Sequence, residues 1–162
     1  MAEQFANAWL EVNNCRGQYS FISRALSNAY EPENSPASSY GIQVLSEEYL
    51  LDLRNHRSVM LSSQDVDDAH LIIGVTKSHV RSIIGKYPTA TAKVGSFSSD
   101  VPDPSHSSIE VYETCAAKMK ELIDGKLHDL AKWSGTVYAR SVVSSTSTVT
   151  NFPSPVHRNS VR

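Results

Sequence analysis

The stretch HLIIGV, residues His70–Val75, is an apolar run that is too short for a helix and is rich in β-branched residues. Such a run is typical of a strand that is buried on both faces of a parallel sheet. Thr76 then leads into a predicted helix with an apolar face, which ends before Pro88. Ala92 to Phe97 follows as a second inner strand, so this part of the chain alternates strand and helix.

Helical periodicity surrounds these two strands. Met1 to about Val12 is predicted as a helix, and a long helix is predicted from Ser107 to about Trp133, with Ser107 and Glu110 in a capping-box pattern. The buried face of the long helix is a stripe at i, i+3, i+4 spacing: Tyr112, Cys115, Ala116, Met119, Leu122 and Ile123. Gly125 is expected to weaken or bend this helix.

Between the first helix and the central strand, two further elements are predicted. Gln18 to Leu26 is a short strand candidate, and Ser35-Pro36 is expected to open the second helix, with serine as N-cap and proline in the first turn. Strands that alternate with helices predict an α/β fold with a parallel sheet and helices on both faces. Ligands of such folds lie beyond the carboxyl ends of the strands, where the loop that contains Asp103 follows Ala92–Phe97.

Composition narrows the function classes. The 162 residues suit one globular domain, since 40% are hydrophobic and 20% are charged. A net charge of -2 gives no reason to expect a nucleic-acid partner, and no apolar run is long enough to span a bilayer. Two cysteines are too few for a disulfide framework or a zinc site, and no secretory signal is recognisable, so we expect a cytoplasmic protein.

The last segment, residues 134–162, changes in character. It contains seven serines and four threonines and no acidic residue. We predict a flexible Ser/Thr-rich tail after a domain that spans residues 1–133. A solvated tail without specific function is favoured over phosphorylation or docking, for instance at Ser154-Pro155.

Six pieces of the sequence, in order and spacing, resemble the low-molecular-weight protein-tyrosine phosphatases. The similarity spans roughly Met1 to Trp133. The pieces are Met1-Ala2-Glu3, Phe21–Leu26 (FISRAL), Ser35-Pro36-Ala37, Asn55–Ser58 (NHRS), Asp68–His79 (DAHLIIGVTKSH) and Asp103-Pro104.

The resemblance implies a chemistry and a set of roles. Members of the family hydrolyse phosphate monoesters such as phosphotyrosine: a cysteine thiolate attacks phosphorus, and an aspartic acid protonates the leaving oxygen. By resemblance, Asp103 is this catalytic acid, and Ser23 and His56 support the phosphate loop. The family's mechanism needs no metal and no organic cofactor. Ser105 and His106 stand where relatives often carry an aromatic residue, which puts aromatic substrate packing in doubt.

The family's first strand and its Cys-x5-Arg-Ser-Pro phosphate loop precede Met-Ala-Glu, whereas this sequence starts at Met1-Ala2-Glu3. Cys15 is followed directly by Arg16, so it lacks the required spacing, and Cys115 falls in the apolar stripe. We therefore predict a three-layer αβα sandwich that lacks its first strand, with no nucleophile and no activity in the chain as written. Phosphotyrosine protein is the expected partner of a complete enzyme, and the oligomeric state is left open.

The first strand of the family lies inside the sheet, between the second and third strands. Removing it exposes two inner edges, and each buried unpaired backbone group costs roughly 1–3 kcal/mol. Such losses are large against a domain stability of roughly 5–15 kcal/mol. We therefore predict a poorly stable chain unless the flanking strands close up or a partner supplies a strand.

Three interpretations stay open. The first is an active phosphatase whose first segment is not included in this sequence. The second is a catalytically dead binding or regulatory module, a pseudophosphatase. The third, an arsenate reductase on the same fold, requires redox cysteines for which Cys115 is a poor candidate. Phosphotyrosine and phosphoarginine both remain candidate substrates.

Overall fold

A computed structural model of the protein describes residues 1–15, 17–29, 31–133 and 143–144. It contains five α-helices within these residues: α1 Ala2–Val12, α2 Ser39–Tyr49, α3 Ser63–Asp68, α4 Lys77–Lys86 and α5 Ile109–Trp133. A 3-10 helix, Pro88–Lys93, precedes the second strand. The strands are β1 Ile72–Gly74, β2 Val94–Ser96 and β3 Val143–Ser144.

The three strands form one parallel sheet in the order β2-β1-β3. Ile73 is paired with Gly95 on one edge of β1 and with Val143 on the other edge. The parallel sheet predicted from the run at His70–Val75 is therefore confirmed. The strand itself is shorter than that run, because only three residues join the ladder.

Helices cover both faces of this sheet. Ile73 belongs to a large apolar cluster shared with α1, α2 and α5, whereas its neighbour Ile72 belongs to a smaller cluster with residues of α3 and α4. Both isoleucines are fully buried, as the alternation of side chains along a strand requires for a central strand. The layered α/β architecture is thus confirmed, and every residue of the predicted stripe on α5 is buried.

The predicted start of the second helix is wrong by a few residues. The helix begins at Ser39, and Ser38 is its N-cap, with its side chain accepting the N–H of Gly41. Ser35 cannot cap a helix because its N–H donates to Ser58 Oγ at 2.9 Å and its carbonyl accepts the N–H of Ser58 at 2.9 Å. Pro36 lies beside Arg57 in an isolated bridge, so this segment is extended.

The strand predicted over Gln18–Leu26 is not formed. Only Ala25 makes a bridge, to Met60, with its N–H donating to Val59 O at 2.7 Å. The N–H of Ser23 instead donates to a carboxylate oxygen of Glu3 at 2.7 Å. A strand pairs through successive backbone groups of a neighbouring strand, but here the Ser23 N–H is bonded to the Glu3 side chain instead.

α5 begins at Ile109, two residues after the predicted start. The carboxylate of Glu110 bonds to Ser108 rather than to Ser107, which lowers the pKa of Glu110. The helix continues through Gly125 to Trp133. The flexible tail was predicted for residues 134–162, which lie outside the described residues except for Val143 and Ser144, so it stays a prediction together with the domain division at residue 133.

Candidate functional site

The acid loop, which we define as residues 98–107, leaves the carboxyl end of β2. Val101 anchors it: the side chain is buried, and its N–H donates to Val75 O, just beyond β1, at 3.3 Å. Asp103 is exposed on this loop, and its Oδ1 accepts the N–H of Ser105 at 3.0 Å. The loop therefore lies at the carboxyl edge of the sheet, where the sequence placed it, and it presents Asp103 to solvent.

Two contacts join the acid loop to neighbouring helices. Asp100 Oδ1 accepts the N–H of Lys77, the first residue of α4, at 2.8 Å, which suits a carboxylate at a helix N-terminus. On the other side, the Cys115 thiol of α5 lies 3.6 Å from Pro102 O. Asp103 is thus held between the start of α4 and the first turns of α5.

His79 on the first turn of α4 faces the acid loop. Burial lowers the pKa of His79, and the carboxylates of Asp100 and Asp103 oppose this shift. Its Nδ1 is buried and has no hydrogen-bond partner among the described residues. In the sequence, His79 is the last residue of the matching segment Asp68–His79, and no role was predicted for it. The spacing Thr76-x-x-His79, in which the Thr76 hydroxyl caps the His79 N–H, was the available signal.

Ser23 makes two hydrogen bonds to one carboxylate. Its N–H donates to Glu3 Oε2 at 2.7 Å and its hydroxyl donates to the same oxygen at 2.6 Å. Glu3 lies in the first turn of α1, where the helix dipole favours a negative charge. Ser23 is therefore fixed against the start of α1.

His56 lies near the same helix start. It is half-buried, and its N–H donates to Leu53 O at 3.0 Å. Burial is the main cause that lowers the pKa of His56; the positive charge at the Met1 amino group adds to it, and Glu3 opposes it. Ser23 and His56, predicted as neighbours of one loop, are thus linked electrostatically through Glu3.

The beginning of α1 also approaches the acid loop. Burial lowers the pKa of the Met1 α-amino group to about 6, and the nearby carboxylate of Glu3 opposes this shift. Cys115 in turn has its pKa raised by burial and by the nearby carboxylate of Asp103. One neighbourhood at the carboxyl edge of the sheet therefore contains the start of α1, Ser23, His56 and the acid loop.

Neither cysteine is suited to nucleophilic attack. Cys115 is buried, and its raised pKa keeps it a neutral thiol, whereas the nucleophile of such chemistry must be a thiolate. Cys15 follows the far end of α1, with its thiol donating to Asn13 O at 3.2 Å. The eleven residues of α1 separate it from the start of this helix by about 16 Å along the helix axis.

The described residues contain no group of three or more His, Cys, Asp and Glu side chains that could hold a metal ion. No helix formed by them is long and apolar enough to cross a membrane. A groove of about 570 Å³ lies between α1 and α5, lined by residues such as Trp9, Tyr49 and His128, and it does not include Asp103.

Solved structures of other proteins share this fold. The chain is 30% identical to the low-molecular-weight protein tyrosine phosphatase of T. tengcongensis, with a TM-score of 0.70, and the match covers 80% of this chain and 88% of that one. The arginine phosphatase of Geobacillus stearothermophilus matches in fold at 24% identity, with a TM-score of 0.67, over 86% of this chain and 92% of that one.

Among curated sequences, a protein-arginine-phosphatase of Geobacillus stearothermophilus is 29% identical over 102 residues, which is 59% of this chain and 68% of that protein. No protein-family profile matches the chain. The identity and coverage of the T. tengcongensis enzyme, together with the layered parallel sheet and the acid loop at its carboxyl edge, lead to one assignment. The chain belongs to the low-molecular-weight protein tyrosine phosphatase family.

Proposed function

We propose that this chain carries the general-acid half of a low-molecular-weight phosphatase that acts on phosphorylated protein side chains. The observation that supports this most directly is the position of Asp103: an exposed carboxylate on the loop that follows β2, at the carboxyl edge of a parallel sheet. A carboxyl group in this position can protonate a leaving oxygen and later activate water. Ser23 and His56 are positioning residues for a phosphate loop in this proposal.

The nucleophilic half is not contained in these 162 residues. The motif Cys-x5-Arg requires an arginine six positions after the cysteine, and neither Cys15 nor Cys115 has one. We therefore expect the 162-residue chain to have no phosphatase activity by the phosphocysteine route. The reaction would require a strand and a Cys-x5-Arg loop ahead of Met1, because this loop supplies both the thiolate and the anion-binding amides.

A graft tests the proposal. The first strand and phosphate loop of the T. tengcongensis relative are fused to Met1, and hydrolysis of para-nitrophenyl phosphate is measured. We expect the fusion to hydrolyse this ester, and the 162-residue chain not to. Asp103→Asn in the fusion should lower kcat by about 10²- to 10⁴-fold, the usual contribution of a general acid.

Asp129→Asn is the matched control, since Asp129 is an exposed carboxylate on α5 away from the loop. A folded fusion in which Asp103→Asn and Asp129→Asn retain equal activity would show that Asp103 is not the acid. Measuring phosphotyrosine and phosphoarginine peptides side by side would separate the two substrate classes that the relatives' names suggest.

A second candidate is a binding module without catalysis. The pairing of β3 with β1 favours this candidate, because the described sheet has a strand on each side of β1 without the family's first strand. In this case the 162-residue chain should bind a phosphotyrosine or phosphoarginine peptide without turnover. Fluorescence anisotropy of a labelled peptide would detect it, and binding that is unaffected by removal of the phosphate would argue against this role. For either candidate we propose a cytoplasmic location, in keeping with the two unpaired thiols.

A further inference from the structure

The edge of β1 that faces away from β2 is paired with β3. β3 pairs with β1 in parallel, with Ile73 opposite Val143 and Gly74 opposite Ser144. This edge is the one away from β2, so β1 becomes the central strand of the sheet. β3 also approaches α1, which covers the same side of the molecule.

This edge needs a partner for a physical reason. Ile72 and Ile73 are both fully buried, and they lie in different apolar clusters on the two faces of the sheet. Backbone groups of β1 that point away from β2 are therefore remote from water. A buried N–H or C=O without a partner is strongly unfavourable, so a strand at this edge stabilises the whole sheet.

The segment expected to flank this edge does not pair with it. Within residues 17–29, the N–H of Ser23 is taken by Glu3, and Ala25 exchanges hydrogen bonds with Val59 and Leu61 instead of with β1. The sheet has thus not closed up over the position of the family's first strand. β3 pairs with this edge of β1 instead.

The connection to β3 is geometrically ordinary. β2, α5 and β3 form a strand–helix–strand unit, the kind of crossover that parallel strands require. Nine residues separate the end of α5 from Val143. A fully extended segment of that length can span about 30 Å.

We propose that the edge of β1 is a strand-acceptor site, and that Val143 and Ser144 of the same molecule occupy it and thereby stabilise the phosphatase-like domain. The ligand of this site is a parallel extended peptide, bound through backbone hydrogen bonds. Branched and small side chains suit it, as in the sequence Val142-Val143-Ser144-Ser145. Val143 and Ser144 then have a structural role.

A proline scan of the full chain tests this proposal. Val143→Pro removes an N–H from β3 and is poorly tolerated inside a ladder. Val149→Pro makes the same substitution in the same segment, six positions after it, and is the matched control. Hydrogen exchange of the amides of Ile73, Gly74, Val143 and Ser144 is measured by mass spectrometry on short peptides.

We expect these amides to be protected in the parent chain and in Val149→Pro. Val143→Pro, which has no amide at position 143, should speed the exchange of the other three amides by about tenfold or more, as the loss of a backbone hydrogen bond implies. Val143→Thr, which keeps the N–H and the branched side chain, should restore protection. If Val143→Pro is insoluble while Val149→Pro and Val143→Thr fold, the proposal is also supported.

Two results would overturn it. One is equal exchange of the Ile73 and Gly74 amides in Val143→Pro and Val149→Pro. The other is protection that appears only at high protein concentration together with a dimer in size-exclusion chromatography, since this would mean that a second copy supplies the strand. Protection that is independent of concentration in a monomer assigns the strand to the same molecule.

Discussion

At the scale of residues, the carboxylate of Glu3 is the group that holds Ser23. One of its carboxylate oxygens accepts both the N–H and the hydroxyl of half-buried Ser23. Hydrogen bonds to a charged acceptor are stronger than those to a neutral one, and a removed acceptor leaves two donors unpaired. Glu3 therefore fixes the segment around Ser23 to the start of α1.

Replacing this carboxylate should destabilise the fold. We expect Glu3→Ala to lower the free energy of unfolding by about 1.5–3 kcal/mol, the range for hydrogen bonds to a charged group. Urea denaturation followed by circular dichroism measures it. Glu48→Ala, an exposed glutamate on α2, is the control and should change little. A loss no larger than that of the control would mean that Ser23 finds other partners.

A second residue-scale prediction concerns His79. Asp100 and Asp103 raise its pKa against the lowering effect of burial, so neutralising either one should lower the pKa further. We expect this from Asp103→Asn and from Asp100→Asn, and not from Asp129→Asn. An NMR titration of the His79 ring measures it.

The sign for stability follows from the same shift. A pKa below the unfolded value of 6.5 means that the unfolded chain binds the proton more readily, so stability falls as the pH drops below 6.5. Asp103→Asn should steepen this loss. An unchanged His79 titration in both variants would place the carboxylates outside its neighbourhood.

Some features of the candidate site follow from the local sequence, and others depend on contacts between residues that are distant in the chain. Asp103 could be placed from the sequence because its loop follows a predicted strand and parallel strands end at one edge. The partner of Ser23 could not, since Glu3 and Ser23 are distant in the chain and meet only when α1 is packed. For the same reason, the burial that lowers the pKa of His79 leaves no trace in its local sequence.

At the scale of elements, α5 carries the most core residues and also contains a glycine. A Cβ at Gly125 would meet nothing within 4 Å. By contrast, a Cβ at Gly74 would lie 2.9 Å from the backbone nitrogen of Val80, which cannot move without shifting α4. The two glycines therefore differ: one is tolerated by the helix and the other is required by packing.

This contrast predicts opposite effects of the same substitution. Gly125→Ala should raise the free energy of unfolding by about 0.5–1 kcal/mol, because alanine restricts the unfolded chain and favours the helix. Gly74→Ala should lower it, because the added methyl group forces β1 away from α4. Thermal unfolding of both variants beside the parent measures this. Destabilisation by Gly125→Ala would show that α5 needs a bend at that position.

Elements with strong periodic patterns could be predicted, and the others could not. The apolar run of β1 and the stripe on α5 reflect burial directly, so the sequence indicates them. The start of α2 was misplaced because Ser35 bonds to Ser58, a contact that no local pattern reveals. β3 escaped prediction because two residues in a Ser/Thr-rich segment have no periodicity, and their pairing with Ile73 and Gly74 is non-local.

At the scale of the whole molecule, the sheet joins two apolar clusters into one cooperative unit. The large cluster lies under α1, α2 and α5, and the small one lies on the opposite face under α3 and α4. Ile72 is fully buried in the small cluster, and its neighbour Ile73 is fully buried in the large one. A destabilising substitution in one cluster should therefore lower the stability of the other as well.

Ile72→Ala tests this coupling. We expect it to cost about 2–5 kcal/mol, as for other large buried side chains cut to alanine. With Trp133→Phe as background, Trp9 is the remaining tryptophan, and it packs on the large cluster. The urea midpoint from Trp9 fluorescence should shift as much as the midpoint from circular dichroism. Two separate midpoints would instead show that the clusters unfold independently.

The position of β3 in the chain has a consequence for biosynthesis. Val143 follows Ile73, the residue that it pairs with, by 70 positions. At about 5–20 residues per second, a ribosome needs roughly 4–14 s to make the interval. During this time the edge of β1 that faces away from β2 has no strand to pair with. Pairing of this edge is thus possible only after Val143 has been synthesised, and until then the edge of β1 is available to chaperones or to the edges of other nascent chains.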